Sequence, residues 1–314
     1  MIKQVLHRTF AVPLRWASHW SGLALRRAQA IKQPRILMYH IVGDDELSVH
    51  QFEWQIEFLR REFEAVSLGT LIDRLQSGAV TGREVVITFD DGVRNHFSFA
   101  WPILRSRKVP ATFFVCPGLI ETGDWLWRTE LRMRLKHMDR AMRVKVATDS
   151  GCPHGEVEAV MEWTKKLPLD EREVFRRNVA KQTADFSPSR QEMERHAPLT
   201  WDQLRQMDKN LITIGSHTLT HPILTTLAND VLQREIADSR SLLEQTLDRS
   251  VDFFSYPNGA NDTRVVNAVR QYYSAALTTH KAFVKPESDL YTLPRVAAGD
   301  SRASFVRRLH RPTA

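Results

Sequence analysis

The chain has 314 residues, 42% of them hydrophobic and 26% charged, with 44 Lys and Arg against 37 Asp and Glu, a net charge of +7. This balance excludes disorder of the whole chain, and two cysteines exclude a disulfide scaffold. No run approaches 18 apolar residues, so no segment reads as a membrane span. The basic residues are scattered among acids rather than clustered with aromatics, which argues against a nucleic-acid partner.

Residues 1–33 hold six Lys or Arg and no acid. His7, Arg8, Pro13, Arg15 and His19 interrupt the apolar pieces, so the segment does not fit a cleaved secretory signal. It reads either as a basic amphipathic segment on an anionic membrane surface or as a docked terminal helix. The expected location is the cytoplasm, peripherally at the inner face of the membrane, which free thiols suit.

From residue 34 onward, short apolar runs alternate with helical patterns. The predicted strands are 35–39, 65–68, 84–89, 112–116, 211–215, 252–256, 274–278 and 293–296. Several are continuously apolar, as parallel strands buried on both faces require. Phe52, Ile56, Leu59 and Phe63 recur at helical spacing behind a Ser48 cap. Thr200 and Gln203 form a capping-box pattern, and the apolar spacing over 225–248 predicts a long helix. The alternation predicts an α/β fold, a distorted (β/α) barrel of seven or eight units over 34–314. Residues 119–198 break the rhythm, being helical and charged without a strand, and read as a helical insertion.

Four strand ends carry candidate chemistry, because catalytic groups of barrels sit at the C-terminal ends of strands. Strand 35–39 ends on His40, either a general acid near neutral pH or a structural histidine. Strand 84–89 ends on Asp90, Asp91 and Gly92. One carboxylate can bind a cation while the other remains a base, or the pair caps a surface turn. After strand 211–215 come His217 and His221, four residues apart, which suits one metal if the segment makes a helical turn. Tyr256-Pro257-Asn258-Gly259 follows strand 252–256 as a turn whose N–H could face a pocket. Arg295 in strand 293–296 could orient a carboxylate.

The Thr-Phe-Asp-Asp-Gly run at 88–92 and Ser-His-Thr-Leu-Thr-His-Pro at 216–222, each after a strand, resemble the polysaccharide deacetylases. These are the NodB-homology group of carbohydrate esterase family four. The resemblance covers roughly 34–118 and 199–298. It implies a distorted barrel that removes N-acetyl groups from glycans, with Asp90 as base and Asp91, His217 and His221 as ligands of a divalent metal. Zinc is the metal expected for such nitrogen and oxygen ligands. Tyr256 would lend its backbone N–H to an oxyanion hole. Many members have Arg where this chain has Ser255, and Arg295 is the expected substitute. The Arg308-Leu309-His310 run is a poor copy of the C-terminal acid-histidine strand, whereas Met38-Tyr39-His40 is similar to the permuted branch that acts on biofilm exopolysaccharide. His40 is therefore the expected acid.

The partner expected from the resemblance is an N-acetylated glycan, polymeric or lipid-linked. Trp125, Trp127 and Trp201 are candidate stacking surfaces for sugar rings, although tryptophans equally serve as core. The competing expectations are a catalytically degenerate glycan-binding subunit and a glycoside hydrolase. The second is disfavoured because adjacent carboxylates cannot flank a glycosidic bond. The sequence does not fix the oligomeric state.

Overall fold

The computed structural model describes residues 22–44 and 46–313. Most of the basic segment 1–33, and with it the predicted membrane contact, lies outside the described residues. The described strands are β1 (Arg35–Tyr39), β2 (Glu64–Ala65), β3 (Glu84–Phe89), β4 (Ala111–Val115), β5 (Ile212–Ser216), β6 (Phe253–Ser255), β7 (Ala275–Leu277) and β8 (Val296–Ala297). Seven lie in the order β7-β6-β5-β4-β3-β1-β8, with β2 beside β3. All the pairings between strands are parallel.

The stretch leading into β8 touches both edges of this sheet. Leu293 donates its N–H to the Ala276 carbonyl and accepts from Thr278 N–H. Three residues later, Val296 and Ala297 pair with Leu37 and Met38 of β1. The sheet therefore curls into the distorted (β/α) barrel that the alternating pattern predicts. Every residue of β3 and β4 is buried. A cluster of Tyr39, Phe52, Phe89 and Phe113 packs edge-on and stacked, with ring centroids 4.9–5.8 Å apart. Burial of each such ring contributes about 2–3 kcal/mol.

β1 and β3 fall on the predicted residues. Predicted strand 65–68 is shortened to β2, because the Ser67 hydroxyl accepts from Thr70 N–H and opens a helix over Leu68–Ser77. The capping boxes at Ser48 and Thr200 are both formed.

Between β4 and Pro198 the chain makes six helices and no strand: Pro117–Thr122, Trp127–His137, Arg140–Asp149, Val157–Thr164, Leu169–Gln182 and Arg190–His196; a seventh, Trp201–Gln206, leads into β5. The middle four of the six surround their own apolar cluster, which includes Trp127, Leu131, Leu135, Val160, Met161, Phe175 and Val179.

Candidate active site

Asp90 leaves β3 buried, with its backbone N–H donated to the Tyr39 carbonyl at 3.1 Å. Both carboxylate oxygens accept from Arg295, at 2.7 Å from Nη1 and 2.6 Å from Nη2. The same guanidinium donates to the Thr278 carbonyl, to Thr88 Oγ1 and to Ser255 Oγ. Arg295 is thus fixed from four directions, Ser255 among them. Burial pushes the Asp90 carboxyl upward, but the charge and hydrogen bonds of Arg295, with the charges of His217 and His40, together outweigh it and hold the group at about 2. A bidentate pair of this kind leaves each oxygen a free lone pair.

Asp91 lies next to it, at φ 80°. Its Oδ1 is 3.4 Å from His221 Nε2 and 3.7 Å from His217 Nε2. One ligand atom from each of the three residues falls within 4.8 Å of the others. The two histidines do not share a helical turn, as the spacing had suggested. Thr218 and His221 both adopt positive φ, at 71° and 64°, and His221 N–H donates to Thr218 Oγ1. This bend brings the imidazoles to a centroid distance of 4.8 Å. Of the six non-glycine residues with positive φ among those described, Asp91, Thr218, His221 and Asn258 lie at this mouth. Such strain gathers where a site requires an exact geometry.

The donor chemistry fits a metal ion. His217 Nδ1 sits 2.7 Å from the Ser255 carbonyl, so it carries the proton and Nε2 presents a lone pair. Burial lowers the His217 pKa to about 4 against the opposing pull of Asp90, which keeps the ring neutral. Asp91 is pushed up by burial and pulled far below the usual carboxylate range by His221, His40 and His217. Glu235 anchors the loop, accepting from Thr220 N–H and Oγ1 at 2.9 and 2.7 Å. Gly92 cannot be replaced cheaply, since a Cβ would come within 2.8 Å of Val115 Cβ at a backbone φ of 63°.

His40 is exposed at the same mouth, and its charge acts on both Asp90 and Asp91. The sequence does not single out the groups that hold it. His96 is fully buried against Phe89 and Phe113 and donates Nε2–H to the His40 carbonyl at 2.6 Å. Asn95 makes two bonds to the backbone of Val42. Both residues sit where the chain enters a π-helical turn over His96–Ala100, a form common near functional sites. Two polar residues directly ahead of an aromatic run are the only signal the sequence offers for them. His310 lies at the opposite end of the barrel, beside Leu309, whose carbonyl bonds Arg35 at the start of β1.

Two expectations need correction. Tyr256 cannot lend its N–H to a pocket, because that N–H donates to the Leu277 carbonyl in the sheet and the hydroxyl donates to the Tyr291 carbonyl. Asn258, at φ 57°, takes no part in the two turn hydrogen bonds, which Gly259 and Ala260 donate. Trp127 belongs to the core of the insertion, with the Arg172 guanidinium over its ring at 4.9 Å, so no sugar can stack there. Trp125 and Trp201 are half-buried. Trp201 is also tied by Nε1 to Glu121 at 2.7 Å.

A barrel whose strand ends present a paired aspartate beside an Asp-His-His cluster defines a class of candidate metal-site hydrolases. The family profile of the polysaccharide deacetylases matches residues 77–164 and 172–276, and the chain belongs to that family. YxkH of Bacillus subtilis (strain 168) is 31% identical over 110 residues, 34% of this chain and 39% of that protein. The chain thus spans about two fifths of the curated relative that it matches. IcaB from Ammonifex degensii has a similar fold, with a TM-score of 0.60 and 18% identity over 90% of this chain and 98% of the other. Deacetylase PplD of Streptococcus pyogenes, solved in complex with acetate, has a TM-score of 0.59 and 20% identity over 85% and 93%. The BpsB deacetylase domain from Bordetella bronchiseptica reaches 0.55 and 15% over 85% and 96%.

Proposed function

We propose that the protein is a metal-dependent hydrolase that removes N-acetyl groups from an N-acetylated glycan, releasing acetate. The observation that carries this reading is the Asp90–Arg295 pair set directly beside Asp91, His217 and His221. It supplies an ionised base next to a cluster of nitrogen and oxygen ligands. Asp91, His217 and His221 would hold a divalent ion, with zinc the best match to that donor set. Such an ion lowers the pKa of a water and polarises the acetamide oxygen.

The remaining steps belong to the chain. Asp90 accepts the proton of the attacking water as oxygen adds to the acetyl carbon. Arg295 keeps that carboxylate ionised and aimed. Asn258, in place of Tyr256, offers a backbone N–H toward the developing oxyanion. His40 donates a proton to the departing nitrogen as the C–N bond breaks, leaving acetate and a free amine on the sugar. His96 fixes the His40 carbonyl, and Asn95 fixes the backbone of Val42 two residues further on. The basic residues of 1–33 would hold this enzyme against an anionic membrane surface.

The test is acetate release from a panel of N-acetylated oligosaccharides, with and without a chelator. Release that stops with chelator and returns with added zinc is the expected result. Release of reducing ends that ignores chelator would point to a glycoside hydrolase instead.

A further inference from the structure

A second group of unanswered polar atoms lies beside the mouth. A cavity of about 460 Å³ opens between the insertion and the loop carrying His221. Thr220 and His221 border it on the barrel side, and Trp125, Trp127 and Arg172 on the insertion side. Arg172 is 2% exposed. Among the described residues it forms no ion pair, and its Nη1 is buried without a hydrogen-bond partner. Trp127, whose ring lies under that guanidinium, has its Nε1 in the same condition.

The acids of the lining are committed elsewhere. Glu130 pairs with Arg134 and Arg176, Glu173 with Arg176, and Glu235 with Thr220. Asp124 lies exposed at the rim. What remains, on two residues that line one cavity, is a buried guanidinium nitrogen and a buried indole N–H without hydrogen-bond partners; Arg172 feels the Glu173 charge but forms no ion pair with it. A buried guanidinium is costly unless paired, and an unmade buried N–H adds to that cost. An oxyanion entering the cavity would remove both costs and gain a charge-assisted hydrogen bond.

We propose that this cavity is a substrate subsite for an oxyanion carried by the glycan, a phosphate or a carboxylate near the N-acetylated sugar. Arg172 supplies the charge and Trp127 Nε1–H the second donor. This rests on the deacetylase reading of the neighbouring mouth, since His221 is common to both. The preferred substrate is then an anionic N-acetylated glycan rather than a neutral one.

The test is calorimetric binding to the full-length protein of N-acetylglucosamine, N-acetylglucosamine 1-phosphate, an N-acetylated disaccharide containing a uronic acid, and inorganic phosphate. At least one anionic sugar should bind about tenfold tighter than the neutral sugar, the size of one charged hydrogen bond. Whether the phosphate or the uronate shows the gain identifies the oxyanion. Arg172→Gln should bring the ratio close to one. Arg172→Lys should keep part of it. Trp127→Phe, which retains the ring, should reduce it about threefold and covers the case in which Arg172→Gln does not fold.

Equal binding of neutral and anionic sugars by the wild type would overturn the proposal. So would a preference that survives in both Arg172→Gln and Trp127→Phe, since the anion would then sit on the metal site. Inorganic phosphate that binds as tightly as the sugar phosphate without competing with it would show an isolated anion site and would also overturn it. A preference lost in Arg172→Gln, in a protein that releases no acetate from any glycan, would support the subsite and remove the deacetylase reading.

Discussion

Two fully buried arginines stand at opposite ends of the barrel. Arg35, at the start of β1, donates to the carbonyls of Leu309, Gln33, Gly82 and Ala28. It packs between the rings of Phe63 and Phe283 at 5.0 and 5.2 Å. Arg295, at the strand ends, sets two of its donors on the single carboxylate of Asp90. The first arginine ties distant segments of backbone together through neutral acceptors. Burial lowers its pKa to about 10, against the opposing pull of Glu84. The second holds a neighbour in the charged state. Burial is equal at the two ends, and the acceptor decides whether an arginine serves the fold or the chemistry. This agrees with the division of barrels into a stabilising and a catalytic face.

The largest effect is expected at the catalytic end. Arg295→Gln leaves Asp90 buried without a counter-charge. It should cost about 3–5 kcal/mol of stability and reduce acetate release by at least tenfold at neutral pH, as read by denaturant unfolding and an acetate assay. Arg35→Met should cost several kcal/mol, since the carbonyls lose their partner at about 1–3 kcal/mol each, yet leave kcat per folded molecule as it was. A lowered kcat at unchanged stability in Arg35→Met would break the comparison.

Acidification comes next. Burial pushes His96 down to about 4, below its unfolded value of about 6.5. The unfolded chain therefore binds the proton first, and stability falls as pH drops from about 6.5 to about 4, by about 3 kcal/mol from this residue. The Asp90 contribution is present above its unfolded pKa of about 4 and is lost only as pH falls to about 2. Urea unfolding of wild type and His96→Gln across this range should show the upper step reduced in the variant, with His217, which is also held at about 4, supplying what remains. The smallest effect belongs to Ser255→Ala, which removes one hydrogen bond to Arg295 and should cost about 0.5–1.5 kcal/mol with little loss of acetate release.

Much of this was readable in the sequence. β1 and β3 are continuous apolar runs with clear ends, and the polar residues that close them are the ones at the barrel mouth. The unread part depended on distance or on backbone shape. Asp90 and Arg295 meet only because Leu293 and β8 bring the two edges of the sheet together. His217 and His221 converge through two left-handed residues that no helical periodicity announces. Tyr256 looked free until its ladder bond to Leu277 was in view, and Trp127 until the core of the insertion formed around it. His96 leaves no mark in the chain beyond standing, with Asn95, directly ahead of an aromatic run.

The most direct test of the central claim measures bound metal and acetate release together in wild type, Asp90→Asn and His217→Ala. Asp90→Asn should retain its metal and lose about 10²–10⁴-fold in turnover, while His217→Ala should lose both metal and activity. Undiminished acetate release in Asp90→Asn, or in His217→Ala without metal, would contradict the account.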